Sequence, residues 1–172
     1  MKVLFLDVDG VLVHSGSVEG GRASGEPCGS SFYYAAQVDP ACGARVKRIV
    51  EETGARIVVS STWRRFEAQM SGLRRALLNA GFDRRTLREV LVGSTPTLGG
   101  TGLVTAIAQD RTERQMEVEA WLAQHPEITS YLVIDDHPLP GHPQLEPRPD
   151  YFGGGLLEAH IEQATRILGI VE

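Results

Sequence analysis

Val3-Leu4-Phe5-Leu6-Asp7-Val8-Asp9-Gly10-Val11-Leu12-Val13 is an apolar run of strand length that ends in two carboxylates and a glycine. Along an extended chain, positions i and i+2 point to the same side, so Asp7 and Asp9 can face one reacting centre. Gly10 lets the chain turn away sharply with no Cβ in the way. A carboxylate at the mouth of a strand is a candidate nucleophile, and a second one beside it is a candidate acid or base. Asp and Gly are common turn residues. Turn chemistry therefore accounts for Asp9-Gly10 but not for the extra acid at Asp7.

Two further runs have the same design. Ala55-Arg56-Ile57-Val58-Val59-Ser60-Ser61-Thr62 is rich in β-branched residues and ends in three hydroxyls. Tyr131-Leu132-Val133-Ile134-Asp135-Asp136 ends in paired acids. Between them, Thr112-Glu113-Arg114-Gln115 carries the pattern of a capping box that opens a helix. Asp39 with Pro40 reads as the start of a helix whose apolar stripe is Val46, Ile49, Val50 and Thr53, and Gly54 stops it. A helix is expected from about Phe66 to Asn79, with Phe66, Met70, Leu73 and Leu77 on one face. A short third strand is expected at Glu89 to Val92, a fifth near Tyr151, and a last helix at about Leu156 to Leu168. Residues 14–37 are Gly/Ser-rich without clear periodicity, and the apolar island Leu103 to Ala108 has no evident place.

Alternating strands and helices imply right-handed βαβ units and a parallel sheet covered on both faces. Ligands collect at the carboxyl ends of such strands. Asp7, Asp9, Ser60, Asp135 and Asp136 all fall at predicted carboxyl ends, so three distant segments deliver polar groups to one rim.

The composition fits a single globular domain: 42% hydrophobic and 23% charged over 172 residues. No apolar stretch approaches the ~18 residues of a membrane span, and the N-terminal run is cut by Asp7 too early for a signal peptide. Cys28 and Cys42 form no metal or disulfide pattern, so a soluble, reduced, cytoplasmic setting is expected. A net charge of −5 argues against a chain-wide nucleic-acid surface. Arg64, Arg65, Arg74, Arg75, Arg84, Arg85 and Arg88 nevertheless crowd one segment, as a phosphodiester-binding patch or as the solvated face of a helix.

Nucleophile, hydroxyl, basic residue and acid pair follow one another in an order that resembles the phosphatases of the haloacid dehalogenase-like (HAD) superfamily. More narrowly, Ser60-Ser61-Thr62-Trp63-Arg64, Thr95-Pro96 and Arg114-Gln115-Met116-Glu117-Val118-Glu119-Ala120-Trp121-Leu122 are similar to the small HAD domains of Swiss Army Knife RNA-repair-associated proteins. The resemblance implies one α/β domain over 1–172 with a three-layer Rossmann-like fold. Its sheet would be mainly parallel and five-stranded, in the order 3-2-1-4-5, with helices on both faces and 14–37 as a minimal cap insertion. It also implies a Mg²⁺-dependent phosphatase that hydrolyses phosphomonoesters through an aspartyl-phosphate.

On this reading Asp7 is the nucleophile and Asp9 the acid and base. Mg²⁺ is held by Asp7, Asp9 through its backbone carbonyl, and Asp135 or Asp136. Ser60 donates to a phosphoryl oxygen, with Gly10, Ser61, Thr62 and Arg64 around the substrate. Which hydroxyl points inward stays open, as does which of Asp135 and Asp136 binds metal directly. Arg114 takes the basic role by resemblance, and its phase agrees, because Val118 and Trp121 share its stripe. Arg111 is the fallback, and Glu117 either orients Arg114 or makes a surface pair with it. Trp63 is a base-stacking or packing residue, His137 a loop residue beside the acids, and Phe32-Tyr33-Tyr34 a small lid or a fastening for the insertion.

Dehalogenases share the nucleophile but need neither Mg²⁺ nor the second acid. Receiver domains carry their acid pair on the first strand, and phosphomutases need a larger cap. The expected substrate is a nucleotide or nucleic-acid phosphate end, with an RNA-repair assembly as partner. A small-metabolite or phosphoprotein phosphatase, or a non-catalytic phosphate-binding module, is the alternative.

Overall fold

β1 (Lys2–Leu6) forms the middle of the sheet because its residues are apolar on both faces; Val3, Leu4, Phe5 and Leu6 have no exposed surface. A computed structural model describes residues 1–98, 112–147 and 154–171. The other strands are β2 (Arg56–Val59), β3 (Leu91–Ser94), β4 (Ser130–Ile134) and β5 (Gln144–Leu145). They form a five-stranded sheet in the order β3-β2-β1-β4-β5, and every pairing is parallel. β1 pairs with β4 from Lys2↔Ser130 to Leu6↔Ile134, which brings the ends of the two acid-tipped runs level.

Among the described residues the helices are α1 (Ser15–Ala23), α2 (Ser31–Gln37), α3 (Pro40–Thr53), α4 (Glu67–Asn79), α5 (Arg84–Val90), α6 (Glu113–Ala123) and α7 (Ala159–Leu168). Strand alternation sorts them onto two faces. Leu4, Leu6, Ile57, Val59, Leu132 and Ile134 point to one side, against Ile49 of α3, Leu73 of α4 and Ile161 of α7. Val3, Phe5, Val58 and Val133 point to the other, against Val118 and Trp121 of α6. No helix among the described residues is long and apolar enough to cross a membrane.

The expected caps are present. The Asp39 carboxylate accepts from Ala41 N at 2.8 Å, with Pro40 opening α3 and Gly54 closing it. Thr112 and Gln115 form a capping box: Gln115 N donates to Thr112 Oγ1 at 3.1 Å, and Thr112 N donates to Gln115 Oε1 at 2.8 Å. Val46, Ile49, Val50 and Thr53 are all buried.

Several boundaries differ from the sequence reading. The third strand begins at Leu91, not Glu89, because α5 precedes it, capped by Asp83 accepting from Arg85 N and Thr86 N at 2.9 Å each. Phe66 is 62% exposed: its extended backbone makes it the N-cap of α4, outside the helical stripe. The fifth strand is Gln144–Leu145, where Leu145 is buried and pairs with Ile134. Tyr151, Arg111 and the island 103–108 lie outside the described residues. The last helix starts at Ala159.

Residues 14–37, which show no periodicity, contain two short helices. The second, α2, lies against α4 because Gly72 offers no side chain there. A Cβ at Gly72 would meet Tyr34 Cβ at 2.6 Å and Ser31 O at 3.0 Å. Nine- and seven-residue helices show little periodicity of their own, and tertiary packing holds them.

Candidate active site

The alternation that buries Val3 and Phe5 beneath α6 brings Asp7 out on the same side at the end of β1. Val133 does the same for Asp135 at the end of β4. Arg114 lies at the start of α6, one turn before the buried Val118 and on the stripe that covers this face. The three meet. Arg114 Nη1 is 3.2 Å from Asp7 Oδ1 and 3.1 Å from Asp135 Oδ2. Asp7 is 5% and Asp135 2% exposed. Burial pushes both carboxyls up, Asp7 to about 7, against the pull of Arg114. One guanidinium undercompensates two buried carboxylates.

Asp9 stands at the rim as an exposed residue, with its carboxylate held from below. Trp63 Nε1 lies 3.1 Å from each of its oxygens. Desolvation raises the Asp9 carboxyl, and the Trp63 bond opposes it. Beyond Asp9 the chain bridges to Val13 through Gly10 N to Val13 O at 2.7 Å and Val13 N to Val8 O at 2.9 Å. The Asp9 carbonyl takes no part in these bonds. Gly10 has φ 77°, and a Cβ there would stand 2.3 Å from Asp136 Cγ. Asp136 therefore packs directly on the glycine that turns the chain after Asp9.

The three hydroxyls separate. Ser60 N still bonds Leu6 O at 2.8 Å, in continuation of the sheet, and Ser60 Oγ is buried with no hydrogen-bond partner among the described residues. Ser61 caps the 3₁₀ turn Thr62–Arg65, with Trp63 N donating to its hydroxyl at 3.4 Å, and its side chain is near enough to Asp7 to pull that carboxyl down. Of the hydroxyls whose direction the sequence leaves open, that of Ser61 comes beside Asp7, because the chain leaves the sheet after Ser60. Thr62 is exposed at the head of the turn.

Arg64 is corrected from a substrate-binding residue to an internal tie. Its side chain is 3% exposed and is bonded to Glu117, with donors on Thr95 O at 3.0 Å, Ser61 O at 2.6 Å and Pro96 O at 3.1 Å. Glu117 is equally buried and lies 3.9 Å from Arg114 Nε, so one carboxylate joins the 3₁₀ turn to the start of α6. Trp63 is 2% exposed, which removes it as a base-stacking platform and leaves it as an anchor. Its ring meets Tyr34 of α2 edge-on at 5.5 Å.

His137 has an exposed side chain with Nδ1 2.9 Å from Asp136 Oδ1, and its backbone N–H donates to Asp135 Oδ1 at 2.9 Å. Sequence reasoning missed Gln144. Its amide donates to Asp135 O at 3.1 Å and His137 O at 2.6 Å and accepts from Leu139 N at 2.6 Å, fastening the loop after β4. The sequence reading placed the fifth strand near Tyr151, so nothing at Gln144 pointed to this tie. A small cavity of about 270 Å³, lined by Thr112, Arg114, Asp135, His137 and Leu139, opens at this point.

An all-parallel sheet with this strand order and an acidic rim at its carboxyl edge defines a HAD-type Rossmann-like domain. Residues 3–152 match the family described as the HAD domain in Swiss Army Knife RNA repair proteins, and the chain belongs to that family. Membership points to a phosphatase-like hydrolase function. No curated protein and no solved structure matches the chain.

Proposed function

We propose that this chain is a Mg²⁺-dependent phosphomonoesterase acting through Asp7 on nucleotide or nucleic-acid phosphate ends. The observation that carries the reading is the bridging of Asp7 and Asp135 by Arg114 at the carboxyl edge of β1 and β4. The donor set suits a hard divalent cation: the carboxylates of Asp7, Asp135 and Asp136 and the Asp9 carbonyl are the oxygen ligands Mg²⁺ takes. The rim also carries more buried negative charge than Arg114 offsets. Mg²⁺ held there would neutralise the carboxylates and polarise a phosphoryl oxygen.

Asp7, once ionised, attacks phosphorus in line and becomes an aspartyl-phosphate while the ester oxygen departs. Asp9 gives that oxygen its proton, then takes one from the water that hydrolyses the acyl phosphate. The Ser61 hydroxyl and the N–H groups after it donate to phosphoryl oxygens, and Arg114 offsets their charge. The family's description supports nucleic-acid ends as substrates and an RNA-repair assembly as partner.

Phosphate release from p-nitrophenyl phosphate, nucleoside monophosphates and 3′- or 5′-phosphorylated oligonucleotides tests the reading. Each is run with Mg²⁺, with EDTA and with Asp7→Asn. Metal-dependent release that vanishes in Asp7→Asn is expected, strongest on oligonucleotide ends. No release from any substrate by folded, Mg²⁺-loaded protein would overturn it.

A further inference from the structure

We propose that the face made by α4, α5 and the edge strand β3 binds single-stranded polynucleotide, receiving the nucleotides behind a phosphorylated end held at Asp7. The proposal rests on the phosphatase reading for its orientation but not for its binding chemistry.

A hollow of about 530 Å³ lies between these elements, with Met70, Leu78, Leu87 and Leu91 among its apolar walls and Arg74, Arg84 and Arg88 around it. A second hollow shares Arg74, Leu78 and Arg84 and adds Arg75, so the two adjoin. The chain as a whole has net charge −5, which makes this a local reversal of sign. Arg84 and Arg88 are exposed and have no acidic partner among the described residues. Arg74 has one at 3.5 Å, Glu67, but both side chains are open to solvent and the pair is weak. Asp83, at the margin, is occupied in capping α5.

The pairing of the arginines with apolar walls, and of Arg75 with the exposed Phe32 ring, points to the occupant. A polynucleotide alternates charged phosphates with bases whose faces stack, and single-strand sites combine basic grooves with exposed aromatic rings, the part Phe32 takes here. Arg75 lies 3.7 Å over the ring of Phe32, which is itself 47% exposed, providing a second cation-and-ring surface beside the second hollow. A purely acidic chain such as polyglutamate would use the arginines but brings no ring or apolar side chain to the walls.

Position joins the groove to the rim. Ser94, at the carboxyl end of β3, lines the first hollow, and the next residue bonds back to β2 through Thr95 N to Val59 O at 3.0 Å. β3 stands two strands from β1, about 10 Å across the sheet. A chain whose end lies at Asp7 therefore reaches the groove within its next few nucleotides.

The test is fluorescence anisotropy of a labelled single-stranded RNA on the full chain in EDTA, over a range of salt. Arg84→Ala/Arg88→Ala is compared with wild type and with Arg84→Lys/Arg88→Lys. The Ala pair should weaken binding about tenfold and flatten the log–log salt slope by about 1.4, at about 0.7 per phosphate contact. The Lys pair should keep the slope, and p-nitrophenyl phosphate turnover should stay unchanged in both. Equal RNA binding by wild type and the Ala pair would overturn the proposal, as would polyglutamate competing as well as RNA. RNA bound through these arginines with no phosphate released from any substrate would sink the phosphatase reading alone. Turnover of p-nitrophenyl phosphate without RNA binding would sink the groove alone.

Discussion

The indole N–H of Trp63 lies 3.1 Å from both carboxylate oxygens of Asp9, although the two residues are 54 positions apart. Trp63 is held in turn by Tyr34 of the short insertion, whose ring meets it edge-on at 5.5 Å. The insertion therefore bears on the proposed general acid through a single side chain. Trp63→Phe keeps the ring and deletes the donor. Protonation of the leaving oxygen matters most for poor leaving groups. We expect kcat on an alkyl phosphate to fall about tenfold, with KM and the rate on p-nitrophenyl phosphate nearly unchanged. An equal fall on both substrates would mean that Trp63 acts only through packing.

The Asp7 carboxyl, raised to about 7 by burial, makes the metal-free protein sensitive to pH. Between about pH 4 and pH 7 the folded state keeps a proton that the unfolded chain has released, so stability falls as pH rises through that window. Above it the dependence flattens. Thermal melts in EDTA should show Tm dropping by on the order of 5 °C from about pH 5 to about pH 7.5. Asp7→Asn should lose most of this drop. Saturating Mg²⁺ should raise Tm most at the alkaline end, where the carboxylates are ionised.

Gly10→Ala places a Cβ 2.3 Å from Asp136 Cγ at a backbone φ of 77°. The side chain of Asp136 must move, and the left-handed backbone adds a cost of about 1 kcal/mol. Titration calorimetry with Mg²⁺ or Mn²⁺ should show affinity reduced at least about tenfold. Unchanged metal affinity would exclude Asp136 from the ion's surroundings.

Arg64 and Glu117, both 3% exposed, form a buried pair between the 3₁₀ turn and α6. Removing one partner leaves the other charged and enclosed. Glu117→Ala is expected to cost about 3–5 kcal/mol in urea unfolding. Arg64→Ala should cost a similar amount and also release the Ser61, Thr95 and Pro96 carbonyls. A loss of activity in Arg64→Ala with no loss of stability would return Arg64 to the substrate.

The central strand, the caps of α3 and α6, the strand order implied by resemblance, and the arrival of Asp7, Asp135 and Arg114 at one rim were all legible in the amino-acid order. Apart from the strand order, which the resemblance supplied, these features follow from residue type and spacing within about one turn of helix or along one strand. Alternation alone sends Asp7 and Asp135 to the face that α6 covers, and the stripe of Val118 and Trp121 sends Arg114 there too.

Tertiary structure alone decided the rest. Ser61 rather than Ser60 comes beside Asp7 because the chain leaves the sheet between them, a change of direction that no residue type announces. Arg64 became internal because Glu117, 53 residues away, stands opposite it. The insertion's second helix lies against α4 because α4 presents a glycine to it. The arginine groove required α5, a seven-residue helix whose periodicity is too short to read, to fold against α4 beside the edge strand. Each of these turns on which distant surface a side chain meets. Local sequence limits that choice, and only the packing of the whole chain makes it.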